Sequence, residues 1–330
     1  MIGVPDVTSS SVPPPGNTSP VWRRAWHPVA AAADVTGEEP AQALVAGEAW
    51  VLARLDGRLV AFEDQCPHRL SPLSAGDITR AADGSARLTC AYHGWRFDAA
   101  GRCDSKPAPS LGERLLRERW RREKAGKRDT LSAAYGVTEA YGLIWLAPRE
   151  PLSALPAFPE WNAPGMASMT VTTVRTSASA GQLVGDFLAA AHLPPAEIAL
   201  PATVEVATDG WRVTGVFGAS AGAASAGPTA ARPAAVPRLT KTAGVSGTAH
   251  ARLELPDATV GVLLACQPED WMTTRVFTLI ARRGTGEGGR ADPAELFGKT
   301  DEEAVDGDQA VLGTAWRRLM ARAAATVTDH

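Results

Sequence analysis

Cys66-Pro67-His68 and, after an interval of 21 residues, Cys90-Ala91-Tyr92-His93-Gly94-Trp95 are the two stretches on which the reading of this chain turns. Each offers one thiolate and one imidazole from a tight loop, as C-x-H and then C-x-x-H. Two such loops brought together supply two sulfur and two nitrogen donors. A [2Fe–2S] cluster can take both thiolates on one iron and both imidazoles on the other. Neutral histidines in place of thiolates lower the negative charge and raise the reduction potential. Three other readings of the same residues stand beside this one. A structural zinc ion also takes Cys and His, although zinc knuckles usually pair Cys with Cys and His with His. Cys66 and Cys90 could form a disulfide, which a reducing compartment disfavours. All four residues could be packing side chains.

Outward from these loops the first half reads as short strands. Trp50–Asp64 is a hairpin with Asp56-Gly57 at its turn. Leu88–Cys103 is another, turning at Ala99-Ala100-Gly101. Ala140–Pro148 reads as a buried strand. Between the last two, Leu116–Asp129 carries seven Lys/Arg in fourteen residues. It is a solvated loop or short helix, or a docking patch for an acidic partner. Residues 1–20, rich in Ser, Pro and Gly, are expected to be disordered.

Pro151–Pro164 is a natural domain junction. This divides the chain into a first domain over residues 21–150 and a second over 151–330. In the second, Met169–Ser179 alternates like a strand, and Ser179–Leu193 has helical spacing that Pro194-Pro195 ends. Strand-like stretches follow at Ala202–Val216, Gly247–Leu255, Thr259–Cys266 and Thr273–Arg282. Gly218–Pro237 is an Ala/Gly-rich excursion. Residues 302–325 form a C-terminal helix with Val305, Val311, Leu312, Trp316 and Leu319 on its apolar face. The class is α+β: an all-β first domain, then an antiparallel sheet with a helix before it and a helix after it.

Composition bounds the function. The net charge of −3 over 330 residues argues against nucleic-acid binding by bulk positive charge. No apolar run approaches the roughly 18 residues of a membrane span. The N-terminus lacks the basic start and apolar core of a secretory signal. Four cysteines are too few for a disulfide scaffold, so a cytoplasmic protein with reduced or metal-bound thiols is expected. Cys103 and Cys266 have no partner motif and read as small packing residues.

The paired motifs resemble the Rieske signature, and the whole stretch from Val21 to about Leu319 resembles a Rieske non-haem iron oxygenase large (α) subunit. The resemblance implies a Rieske domain that binds [2Fe–2S] through Cys66, His68, Cys90 and His93. It also implies a catalytic domain of helix-grip, START-like form. In that family the second domain carries Asn-x-x-Asp-x-x-His-x-x-x-x-His at a helix end and an Asp in the C-terminal helix. Here His192 falls on the first histidine and Glu197 replaces the second. Asp186 stands for the Asn and Ala189 for the Asp, while Asp308 in Gly307–Gly313 is similar to the carboxylate ligand. The implied site for a mononuclear Fe(II) is His192, Glu197 and Asp308, one imidazole and two carboxylates in place of two imidazoles and one carboxylate. His250, in a predicted strand, is the sole substitute among the six histidines, and its spacing does not recommend it.

Each of these residues also has a plain reading. His192 can cap a helix C-terminus, Glu197 can be a solvated loop carboxylate, and Asp308 can be one of several acids at a helix start. In the family, the Asp at the position of Ala189 joins a cluster histidine of one subunit to an iron ligand of the next. Alanine accepts no hydrogen bond, and Asp186, one turn away, is the candidate to replace it.

The resemblance implies an oxygenase component fed by a ferredoxin or reductase. It would activate O₂ to hydroxylate or demethylate a small apolar organic substrate, held between the sheet and the C-terminal helix. It further implies a head-to-tail homotrimer, or a mixed ring with a related chain. Two alternatives remain open. The chain could be a catalytically degenerate electron-transfer or structural subunit supporting an active relative, or a binding module for a small molecule.

Overall fold

Asp56 and Gly57 have φ of +52° and +80°, the left-handed pair that a two-residue hairpin turn demands. They join β3 (Glu48–Leu55) to β4 (Arg58–Glu63), as the Asp-Gly pair leads one to expect. The computed structural model describes residues 13–105, 129–189, 204–217, 238–283 and 307–328. The disorder expected of residues 1–12, the basic segment up to residue 128 and the Ala/Gly-rich excursion lie outside the described residues. The chain divides into two units, Pro28–Glu150 and residues 1–27 with 151–330.

The unit over Pro28–Glu150 is built of three small antiparallel sheets. β1 (His27–Ala31) pairs with β10 (Leu143–Ala147), which pairs with β9 (Gly136–Ala140). β2 (Ala41–Val45) joins β3 and β4. β5 (Asp77–Arg80), β6 (Ala86–Thr89), β7 (Arg96–Phe97) and β8 (Cys103–Ser105) form the third sheet. The core gathers Val51, Leu55, Val60, Phe62, Leu73, Leu88 and Phe97, with Cys66 and Cys90 among them. Two contacts fix its tight spots. A Cβ on Gly76 would lie 2.1 Å from the Thr89 carbonyl oxygen, so only glycine lets the chain enter β5 there. Gly101, at φ +75°, turns the β7–β8 hairpin under the Phe62 ring.

The other unit is a seven-stranded antiparallel sheet in the order β11-β17-β16-β15-β14-β13-β12. Its strands are β11 (Ala167–Thr176), β12 (Val204–Asp209), β13 (Arg212–Phe217), β14 (Arg238–Gly244), β15 (Thr248–Glu254), β16 (Thr259–Pro268) and β17 (Thr274–Arg283). Helices α1 (Ala180–Ala189) and α2 (Gly307–Thr328) pack on one face. Alternation assigns that face to Val213, Gly215, Leu239, Lys241, Ala243 and Ala251. A Cβ on Gly215 would meet the Leu312 side chain at 2.7 Å, and Trp316 Nε1 donates to the Gly244 carbonyl at 3.0 Å. Leu312, Trp316 and Leu319 are buried, as the helical spacing predicts, and Met320 and Ala323 extend that stripe.

The structure corrects four expectations. The single strand read over Ala202–Val216 is two, β12 and β13, with Gly210 (φ +53°) at the turn between them. β14 was not foreseen: its inward positions are Leu239, Lys241 and Ala243, and a lysine at the central one breaks the apolar alternation. β9 was also missed, although Tyr141 and Gly142 (φ +56° and +71°) turn it into β10. Residues 13–19 fall in the stretch expected to be disordered, yet Asn17 is buried. Its Oδ1 accepts from Ala180 N at 2.9 Å and its Nδ2 donates to Thr274 Oγ1 at 2.9 Å. A polar side chain with partners that distant in sequence leaves no local signature.

Candidate metal centre

The two motif loops have the same backbone design. Cys66 N donates to Ser71 O at 2.8 Å and Leu70 N to Cys66 O at 2.8 Å. Cys90 N donates to Trp95 O at 2.9 Å and Gly94 N to Cys90 O at 2.9 Å. In both loops the fourth residue after the cysteine is left-handed, Leu70 at φ +58° and Gly94 at φ +64°. Leucine pays roughly 1 kcal/mol for that conformation, strain of the kind stored at functional loops. Asp64 fastens the base of the first loop. Its Oδ1 accepts from Ser74 N at 2.7 Å, and its Oδ2 accepts from Ser74 Oγ at 2.6 Å and Gln42 Nε2 at 2.8 Å. Sequence spacing gave no hint of this carboxylate. Asp64→Ala is expected to destabilise the unit by about 2 kcal/mol, because three donors lose a charged acceptor. Thermal melting checks this, and the cluster absorbance should bleach faster in air.

The loops bring all four motif side chains together, sorted by kind. Cys66 and Cys90 are free thiols, both buried and within hydrogen-bonding reach of each other. Burial first, with the neighbouring Cys90, pushes the Cys66 thiol up to about 11. The imidazoles of His68 and His93 meet edge to face with centroids 4.6 Å apart. Trp95 stacks on His68 at 4.9 Å and 6°, and Tyr92 covers His93 at 3.8 Å. Nδ1 of His93 is buried and meets no hydrogen-bond partner among the described residues. A buried nitrogen left in that state is costly unless a metal or another partner takes its lone pair. Two neighbouring thiols on one side and two neighbouring imidazoles on the other fit a diiron cluster with mixed ligation.

The second set of expected residues is only partly described. His192 and Glu197 lie outside the described residues, and of Asp308 the position in the first turn of α2 is what the structure gives. The helices that lead to them are packed together: a Cβ on Gly313 would stand 3.7 Å from the Gly185 carbonyl oxygen. Asp186, on α1, lies near Arg317 of α2. Burial raises its carboxyl above the ordinary range, against the pull of the Arg317 charge. His250 is on the opposite face of the sheet from these helices. Its Nε2 pairs with Glu160 Oε2 at 2.9 Å, and Arg252 Nη1 donates to Glu160 Oε1 at 2.9 Å. Glu160 is 1% exposed, seated over Gly261 where a Cβ would be 2.6 Å from its Cγ. Burial opposes its ionisation, but the hydrogen bond and charge of His250 and the Arg252 contact hold the carboxyl down to about 2. On that same face Thr240, Thr242, His250 and Arg252 line a cavity of about 560 Å³. His27 and Cys266 are buried packing groups; His27 Nε2 bonds the Trp22 carbonyl oxygen at 2.6 Å.

Paired Cys/His loops on small antiparallel sheets define an iron–sulfur domain of Rieske type. The Rieske [2Fe-2S] domain family matches residues 25–115, so this chain carries that domain. Methylxanthine N3-demethylase NdmB of Pseudomonas putida is 42% identical over 91 residues, 26% of this chain and 25% of that protein. Flavonoid 8-hydroxylase 2, chloroplastic, of Ocimum basilicum is 35% identical over 130 residues, 38% of this chain and 23% of its own length. The matched stretch thus spans about a quarter of these relatives. The solved structure of Pseudomonas putida CBB5 NdmA with caffeine aligns with a TM-score of 0.69 at 18% identity, covering 95% of this chain and 94% of that one. The chain thus carries a Rieske [2Fe-2S] domain over residues 25–115, within a fold shared with the solved NdmA structure. No helix among the described residues is long and apolar enough to cross a membrane.

Proposed function

We propose that this chain is the oxygenase component of a Rieske system, working in the cytoplasm on a small apolar organic substrate that it hydroxylates or demethylates. The observation that carries the reading is the pair of matched loops, which sets two thiols and two imidazoles side by side. Cys66, His68, Cys90 and His93 would hold the cluster; His192, Glu197 and Asp308 would hold a mononuclear iron. When bound, the cluster supplies one-electron transfer from a ferredoxin or reductase, and the second iron supplies O₂ activation. The chain's own part is to hold donors and exclude water. The core around Cys66 and Cys90 keeps the sulfur side dry, while Trp95 and Tyr92 fix the imidazole planes. Asp186 is the carboxylate that would link subunits of a head-to-tail trimer in place of the missing Asp at position 189. The relatives' demethylation and hydroxylation support the reaction class.

A second reading has its own observation. Ala189 and Glu197 stand where the family has Asp and His, which favours a degenerate subunit in a mixed ring with an active relative. Iron analysis separates the two. An oxygenase is expected to hold about three irons per chain, two in the cluster and one outside it. About two irons, with a normal cluster signal, would overturn the first reading in favour of the second.

A further inference from the structure

We propose that the cavity beside His250 is a binding site for a small neutral ring compound that carries a hydroxyl, with His250 Nδ1 as the acceptor of that hydroxyl. No residue of the proposed iron site takes part. Thr240 and Thr242 of β14 stand directly opposite Arg252 and His250 of β15, so all four share the sheet face away from α1 and α2. They line the cavity of about 560 Å³, a volume within the range of small-molecule sites. Leu152 and Pro156, from the segment that leads to Glu160, add apolar lining.

The chemistry of the lining selects the class of ligand. Glu160 is held at about 2, so at neutral pH its carboxylate accepts from His250 Nε2–H at 2.9 Å. That bond fixes the neutral tautomer and leaves the lone pair on Nδ1. Phe158, edge to face with the imidazole at 5.7 Å, holds the ring plane. Among the described residues Nδ1 meets no hydrogen-bond partner, and neither does the Thr240 hydroxyl. A lone-pair nitrogen calls for a donor, and threonine hydroxyls can give or take a bond with the same ligand group. Charge argues against an ion. Arg252 gives Nη1 to Glu160 at 2.9 Å and Nε to Glu254 at 3.1 Å. Both Glu160 oxygens are engaged, and that residue is 1% exposed. Asp209 and Arg212, opposite each other in β12 and β13, also line the cavity and bring one charge of each sign. A charged ligand therefore finds no uncompensated counter-charge to offset its loss of water.

The test uses the oxidised full chain with its cluster. Phenol is the probe, and benzoate and benzylamine are charged analogues on the same ring. Isotope-labelled threonine methyls are followed by nuclear magnetic resonance as each compound is added. Phenol is expected to shift the Thr240 and Thr242 methyls saturably and to leave Thr79 and Thr89, on β5 and β6, unmoved. Thr240→Val keeps the shape and removes one hydroxyl, so phenol should bind about fivefold more weakly, read at Thr242. His250→Phe removes the acceptor and should weaken phenol by about tenfold or more. Benzoate and benzylamine should each bind at least about tenfold more weakly than phenol. Phenol that moves neither cavity methyl overturns the proposal. So does a charged analogue that binds as tightly as phenol, or an affinity for phenol unchanged by Thr240→Val. The last comparison stands by itself if His250→Phe does not fold.

Discussion

Cys90→Ala is expected to yield a protein without the iron–sulfur chromophore. The side chain is buried beside Cys66, and the loop around it is closed by backbone bonds from Cys90 N and Gly94 N. Alanine keeps those bonds, so the loop persists and what disappears is a donor. Three donors cannot complete a cluster that needs four. Because a cluster binds the folded state alone, its binding free energy is also folding free energy, and several kcal/mol of stability should go with it. Cys103→Ala is the matched control. Cys103 lies on β8 outside the paired loops, and its loss should leave colour and iron content intact. Visible absorbance and iron assay on both variants check the pair.

Acid should weaken the sheet unit through Glu160. Its carboxyl is held at about 2, below the ordinary 4.5. A depressed carboxylate stabilises the fold above its unfolded pKa, and that contribution fades as pH falls from about 4.5 toward 2. The fall from 4.5 to about 2 sets a ceiling of about 3 kcal/mol on that contribution. Glu160→Gln removes the titration and leaves His250 and Arg252 facing a neutral amide. Urea denaturation at pH 5 should show the variant less stable by about 2–3 kcal/mol, and at pH 2 the difference should nearly vanish. A constant difference across that window would show that Glu160 contributes by packing alone.

The contrast between Cys90 and Glu160 marks what was legible in the sequence. The cluster loops announce themselves because chemistry forces four scarce residues into two short motifs. Asp56-Gly57 is equally local, since a two-residue turn demands its own residue types. Glu160 is not local: its partners lie 90 and 92 residues away and on one sheet face by register, with Thr242 directly opposite His250. Asn17 and Asp64 are hidden for the same reason. Lys241 concealed a whole strand, because a charged residue at an inward position contradicts the alternation by which strands are recognised. The resemblance supplied His192, Glu197 and Asp308, which no periodicity would have selected.

In the proposed cluster, Cys66 and Cys90 would hold one iron by sulfur, and His68 and His93 the other by nitrogen. A redox titration of the reconstituted protein, followed by electron paramagnetic resonance, tests it most directly. Mixed ligation predicts a midpoint within about −150 to +300 mV. A midpoint near about −400 mV, the value of all-cysteine plant-type ferredoxins, or a redox-silent protein holding zinc, would contradict it.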